Sequence, residues 1–216
     1  MPNETLYVRK IQELLQEEGF EDIEAFREAA ERYLALLKEW NAHAGLVAPG
    51  DIPALWERHM ADSVSLAPYI DRESNHDTVW VDIGSGGGFP AIPAKLLTPA
   101  TPLVLVERSQ RKAGFLRKVL GALDLRDTDI VQGTYPEGMD LEGTSIVTAR
   151  AVEQPRKVFR TILNQLPPRG VYLCQFAWGP QAKDLGFHVE PIDDAWNREG
   201  LRRGMLYRIT QTEQPD

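Results

Sequence analysis

Asp82, Gly84, Gly86 and Gly88 occupy alternating positions after one apolar run, and Glu107 closes the next. The first run, Val79–Ile83, is β-branched and aromatic and reads as a buried strand. In Gly84-Ser85-Gly86-Gly87-Gly88 the missing side chains let the backbone turn sharply and approach a ligand closely. Pro90 and Pro93 follow, and both suit the first turn of a helix, where the lost N–H has no partner to lose. Leu103–Val106 reads as a second strand, and the Glu107 carboxylate beyond it can accept from two vicinal hydroxyls at once. Strand, glycine turn, helix, strand, acid is the layout of a nucleoside site at the carboxyl ends of parallel strands.

The dinucleotide fingerprint G-x-G-x-x-G is not met. Counted from Gly84 and Gly86 its last glycine falls on Phe89, and counted from Gly86 and Gly88 it falls on Ala91.

The elements that must carry these residues follow from periodicity. Residues 4–40 read as helical, with Leu6, Ile11, Leu14 and Leu15, then Phe26, Ala30, Tyr33, Leu34 and Leu37 at helical spacing, and Gly19 between the two sets. Asn41–Asp51 reads as a loop, Ile52–Tyr69 as one further helix, and residues 71–78 as a polar connection. Strands and helices then alternate. A helix over Gln110–Leu123, strands near Ile130–Val131 and Ser145–Ala149, a helix over Arg156–Gln165 and a strand at Val171–Phe176 imply a parallel sheet covered on both faces. Weak strands around Phe187–Val189 and Met205–Ile209 suit an antiparallel hairpin at one sheet edge. The expected division is a helical cap over 1–72 and a sheet-based core over 73–216.

Composition excludes several classes. At 216 residues, 43% hydrophobic and 26% charged, the chain is of ordinary globular make-up with no membrane-length apolar run. Its one cysteine, Cys174, has no internal partner and lies in the apolar run Val171–Cys174, so a reducing cytoplasm is the expected setting and a buried thiol the expected state. Cys and His do not fall at metal-site spacing. The net charge of −8 hides an asymmetry: residues 1–40 hold five Lys/Arg against ten Asp/Glu, while 108–118 hold Arg108, Arg111, Lys112, Arg117, Lys118 and no acid. A basic patch is therefore expected beside the nucleoside site.

The D-x-G-x-G-x-G pattern of Asp82, Gly84, Gly86 and Gly88 resembles the first motif of S-adenosylmethionine methyltransferases. Phe89-Pro90-Ala91-Ile92-Pro93 continues it. With Trp40-Asn41 and Arg58-His59-Met60-Ala61-Asp62-Ser63 upstream, and Glu107-Arg108-Ser109, Lys112, Phe115, Leu116 and Ala149-Arg150-Ala151-Val152 downstream, the ordered set over about 35–180 closely resembles the glucose-inhibited division protein B (GidB, RsmG) family. The resemblance implies a Rossmann-like α/β domain with S-adenosylmethionine as cofactor. It also implies methyl transfer to N7 of a guanine in small-subunit (16S) ribosomal RNA, with the rRNA or the ribosomal subunit as partner and no metal. The chain departs from the family at Ala91, at Thr134-Tyr135-Pro136-Glu137, at Thr144-Ser145 and at Phe176-Ala177-Trp178-Gly179. The cofactor half therefore matches better than the half facing RNA.

On this reading Asp82, Gly84, Ser85, Gly86, Gly88, Phe89, Glu107, Tyr135, Pro136 and Arg150 hold the cofactor, Tyr135 and Pro136 by their place after the third strand. Guanine N7 offers a free lone pair, so no general base is assigned and His59 and Arg150 are positioning candidates. Arg58, Arg108, Arg111, Lys112 and Lys118 are the candidates for RNA phosphates, with Trp178 or Trp196 as stacking surfaces or as core. Arg58 and Asp62, four apart, suit a helical salt bridge. The residues also admit a methyltransferase of a small molecule or protein, or a module that binds S-adenosylmethionine on the ribosome without turnover. No Asn/Asp-Pro-Pro-Tyr/Phe motif for exocyclic amines occurs.

Overall fold

The structure, a computed structural model, describes residues 2–212. Two helices open the chain, α1 (Pro2–Glu17) and α2 (Ile23–Ala44). Their apolar stripes, Ile11, Leu14 and Leu15 on one and Ile23, Phe26, Ala30, Tyr33, Leu34 and Leu37 on the other, are buried as helical spacing requires, whereas Leu6, expected on the first stripe, is exposed a turn before Ile11 reaches the core. Helix α2 runs to Ala44 rather than stopping near 40, and Gly45 ends it in the left-handed conformation (φ 59°) with its N–H on Asn41 O.

The single helix expected over Ile52–Tyr69 is broken. A 3-10 turn spans Pro49–Ala54, a π-helical turn Trp56–Met60, and two short α-helices follow, α3 (Ala61–Val64) and α4 (Ala67–Glu73). Pro53 and Pro68 explain the breaks, since each lacks an N–H and clashes with a preceding turn.

From residue 80 the expected alternation holds: β1 (Trp80–Ile83), α5 (Ala91–Leu97), β2 (Leu103–Val106), α6 (Gln110–Ala122), β3 (Thr128–Val131), β4 (Ile146–Ala149), α7 (Pro155–Gln165) and β5 (Val171–Cys174). A 3-10 turn over Gly179–Leu185 leads to β6 (Phe187–Ile192), α8 (Ala195–Arg198) and β7 (Leu206–Gln211). Strand order is β3-β2-β1-β4-β5-β7-β6, parallel through β5, with β7 antiparallel to both β5 and β6. The expected edge hairpin is present, with its second strand inserted next to β5.

Strands β1, β4 and β5 are buried along their whole length, which is why they read as continuous apolar runs. One apolar cluster joins α1, α2, α5 and α6 to one face of the sheet, and a second packs α7 and the Gly179–Leu185 turn on the other. Trp196, offered above as a stacking surface, is fully buried in the first cluster and is core. Cys174 is buried, and desolvation pushes its thiol up to about 12, as expected of an inert core cysteine. Among the described residues no helix is long and apolar enough to cross a membrane, and no cluster of three or more metal-ligating side chains occurs.

Candidate functional site

The order of strands reverses between β1 and β4, and parallel sheets leave a crevice at such a switch point. A cavity of about 780 Å³ lies there, within the range of small-molecule sites. Its floor is the turn after β1. Gly84 and Ser85 donate their N–H groups to Val106 O at 2.9 and 3.1 Å, folding the turn over the end of β2. Gly84 has φ +72°, and a Cβ there would meet Val152 Cγ1 at 2.5 Å, so only glycine fits. Gly84, Ser85, Gly86 and Gly87 line the cavity; Gly88 does not, and instead packs against Ile92 and Tyr33.

Glu107 braces this floor. Its Oε2 accepts from Gly86 N (2.8 Å) and its Oε1 from Ser109 N (2.7 Å), joining the glycine turn to the start of α6. Each oxygen keeps a second lone pair, and the residue lines the cavity, so a pair of ligand hydroxyls can still be accepted.

Asp82 stands beneath the floor rather than in the cavity wall. Its carbonyl accepts from Ser85 Oγ (2.9 Å), which holds the turn. Its Oδ1 ends a buried chain in which Trp80 Nε1 donates to Thr148 Oγ1 (2.9 Å) and that hydroxyl donates to Asp82 (2.6 Å). Oδ2 is buried without a partner. Burial pushes the carboxyl up to about 6, against the pull of Thr148, Ser85 and Arg150. An unpaired buried carboxylate oxygen below a side-chain-free cradle suits a ligand that is cationic near the turn and carries hydroxyls near Glu107.

The cap supplies the opposite wall. Tyr33 donates its hydroxyl to Gly87 O at 2.5 Å. Asn41 Oδ1 accepts from Leu46 N (2.8 Å) and Val47 N (2.9 Å), shaping the loop that overhangs the cavity. The π-helical turn carries His59, whose ring stacks on Phe89 at 5.0 Å between centroids, and Arg150 Cζ lies 5.2 Å from the same ring centre. Arg150 Nη2 donates to His59 Nδ1 (3.2 Å), and a guanidinium has no acceptor, so His59 is the neutral form that donates from Nε2 to Asp51 Oδ2 (3.0 Å). Burial and the Arg150 charge both lower its pKa, against Asp51. With both ring nitrogens engaged, His59 orients its neighbours and has no lone pair free for a substrate proton.

The expected Arg58–Asp62 pair does not form. Arg58 Nη1 binds Asp51 Oδ1 at 2.6 Å, while Asp62 accepts from Arg203 N (2.6 Å) and faces Arg150 Nη1 at 3.9 Å. The π-helical turn is the cause, because an i→i+5 register rotates residues four apart off a common line.

Gly133, Thr134, Tyr135 and Pro136 form the far wall, with Tyr135 anchored by its hydroxyl to Gln165 Oε1 (2.7 Å). The loop after β4 closes the mouth, and Ala151 and Gln154 both take φ of 50°, a strained geometry for side-chain-bearing residues. Among the basic candidates Arg58, Arg108, Arg111 and Lys112 line the cavity, Arg108 being paired with Glu153; Lys118 lies beyond it on α6. Asp51 and Arg203 are site residues that the sequence did not single out, while Tyr33 was read only as helical core and Asn41 only as part of Trp40-Asn41. Tyr33 had one legible signal: a hydroxyl on an apolar helical stripe needs a buried acceptor.

The model of the family described as rRNA small subunit methyltransferase G (GidB) matches residues 27–177. A protein of Acidothermus cellulolyticus named ribosomal RNA small subunit methyltransferase G is 34% identical over 143 residues, covering 66% of this chain and 62% of its own length. A like-named protein of Cereibacter sphaeroides is 29% identical, over 86% of this chain and 89% of its own. An Erythrobacter litoralis relative, at 32%, is likewise covered over 62% of its length, so the chain spans under two thirds of two of these three relatives. Among solved structures, an RNA methyltransferase of Salinibacter ruber with S-adenosyl-L-homocysteine superposes with TM-score 0.50 at 22% identity, over 69% of this chain and 94% of its own. MtNAS with S-adenosylmethionine superposes at 0.57 and 13%, over 88% and 77%, a likeness of fold. On the family model and the cavity it coincides with, this chain belongs to the rRNA small subunit methyltransferase G (GidB) family.

Proposed function

We propose that the chain is a cytoplasmic S-adenosylmethionine-dependent enzyme that methylates N7 of a guanine in 16S ribosomal RNA. The observation that carries it is the glycine floor braced by Glu107, whose two oxygens can still accept from a ribose, above the unpartnered Asp82 oxygen. Those residues fit S-adenosylmethionine, which supplies an electrophilic methyl group on a sulfonium. Glu107 would accept from the ribose hydroxyls. Gly84–Gly87 would admit the methionine portion, near the negative charge of Asp82. Tyr135 and Pro136 would flank the adenine. Phe89 covers the site, held by His59 and Arg150.

S-adenosylmethionine held there would supply its methyl group to guanine N7 and leave as the neutral thioether, the positive charge ending on the purine. No proton leaves N7, which agrees with a His59 whose nitrogens are both occupied. What the chain contributes is alignment, a factor that can reach ~7–11 kcal/mol. Arg111 and Lys112 stand at the mouth, where phosphates would pass.

The test is incubation of purified protein with labelled S-adenosylmethionine and small subunits lacking the modification, followed by mass spectrometry of the rRNA. Label on a guanine N7 is expected. No incorporation, with S-adenosylmethionine still bound tightly, would overturn the assignment.

A further inference from the structure

A second groove, about 590 Å³ in volume, lies between α7 and the 3-10 turn Gly179–Leu185, and it shares Lys157 and Thr161 with the main cavity. Its α7 wall carries Arg156, Lys157 and Arg160, all exposed, and among the described residues none of the three has an ion-pair partner. The helix segment Pro155–Gln165 contains no acidic residue. On the other wall Trp178 stacks on Phe176 at 5.0 Å between centroids, and Arg156 Cζ lies 5.8 Å from the indole centre. The half-buried Trp178 ring and the exposed Leu185 line the groove, with Asp184 as its one acid.

We propose that this groove is the exit path of the substrate strand, in which unpaired nucleotides flanking the target guanine stack on Trp178 while Arg156 and Arg160 neutralise their phosphates. The inference rests on the rRNA reading above and extends it to a surface outside the cofactor cavity. Cations spaced along a groove beside an aromatic face are the two components of single-strand binding, one for the backbone and one for the bases. Lys157 and Thr161 line both, so a strand leaving the main cavity on the α7 side runs into this groove. The nucleotide chemistry also accounts for a half-buried indole beside three cations that, among the described residues, have no acidic partner. An apolar partner would meet the charges, and an acidic protein would leave the ring unused.

The experiment compares wild type, the double variant R156Q/R160Q, W178A and W178F on small subunits lacking the methyl group. It reads KM for the subunit, its salt dependence, the S-adenosylmethionine Kd, and the site of ultraviolet crosslinking. R156Q/R160Q is expected to raise KM and to flatten the slope of log affinity against log salt by ~1.4, two phosphates at ~0.7 each, with cofactor Kd unchanged. W178A should weaken binding roughly 5- to 150-fold. W178F should recover most of that, because the indole N–H has no hydrogen-bond partner to lose. A nucleotide adduct within 176–181 is expected. Wild-type KM and slope in R156Q/R160Q, whose side chains are exposed and whose folding is not at issue, would overturn the groove while leaving the methyltransferase assignment standing. An adduct to a ribosomal protein would overturn the RNA occupant. A wild type that methylates no rRNA would instead bring down the assignment, and this proposal with it.

Discussion

Two carboxylates of opposite standing meet at the glycine turn. Asp82 is buried with one oxygen unpartnered, and its carboxyl titrates near 6 rather than 3.8. The sign follows. The folded state binds the extra proton between about pH 4 and 6, so this group's stabilisation is present below pH 4 and lost as pH rises through 6. The gap corresponds to about 3 kcal/mol against the fold at neutral pH. Asp82→Asn is expected to stabilise the ligand-free protein, with a gain over wild type that grows from about pH 4 to pH 6 and then levels off in urea titrations. A gain independent of pH would remove Asp82 as its source. The same variant should bind S-adenosylmethionine more weakly, since the charge that costs stability is the one proposed to face the ligand's cation. Glu107 is different, because both its oxygens already accept backbone N–H groups. Glu107→Gln sets an amide nitrogen against one of those donors. Loss of a charge-assisted bond at ~1.5–3 kcal/mol predicts at least a tenfold rise in cofactor Kd by calorimetry. An unchanged Kd would exclude Glu107 from the ribose site. Both carboxylates were legible in the sequence, since each ends an apolar strand. Their division of labour was not, because it depends on Thr148 and Trp80 from β4 and β1 meeting across the sheet.

Among the elements, α2 and the π-helical turn decide the shape of the cleft. Helix α2 reaches the glycine turn through Tyr33, whose hydroxyl binds Gly87 O and whose ring meets Phe89 edge-on at 5.3 Å. Tyr33→Phe keeps the ring and removes the bond. A buried carbonyl left unpaired should cost ~1–3 kcal/mol, and thermal unfolding should show it together with weaker cofactor binding. Loss of stability alone would make Tyr33 a core residue with no say in the turn. The π-helical turn explains why helical spacing paired Arg58 with the wrong acid. Periodicity reports a 3.6-residue repeat, and a wider local repeat turns Arg58 toward Asp51 and leaves Asp62 to Arg150. The proline-broken segment 49–73 thus became the His59-bearing wall of the site.

For the whole molecule, the cap has no core of its own. Ile11, Tyr33, Leu37 and Trp56 belong to the same buried cluster as Trp80, Leu105 and Phe115. Cap and sheet should therefore unfold together, with tryptophan fluorescence and far-ultraviolet circular dichroism giving one coincident transition. Separate midpoints would show an independent cap. Charge also works at this scale, since the net −8 is offset by cations gathered at the cavity mouth and along α7. A uniformly acidic surface would repel RNA, and on the proposed reading the segregation directs RNA to the cleft side.

By itself the sequence determined the alternating α/β order, the buried strands, the glycine turn and the acid after β2. All of these are written within a few residues of one another, where backbone freedom, strand period and proline placement act. Only the tertiary structure decided which residues complete the site. Tyr33 over Gly87, the Asp51–His59–Arg150 chain on Phe89, and the Trp178 groove beside α7 join segments 50 to 100 residues apart or bring separate turns together. Those partners are chosen by packing of the cap and helices on the two faces of the sheet, and no local repeat records that choice.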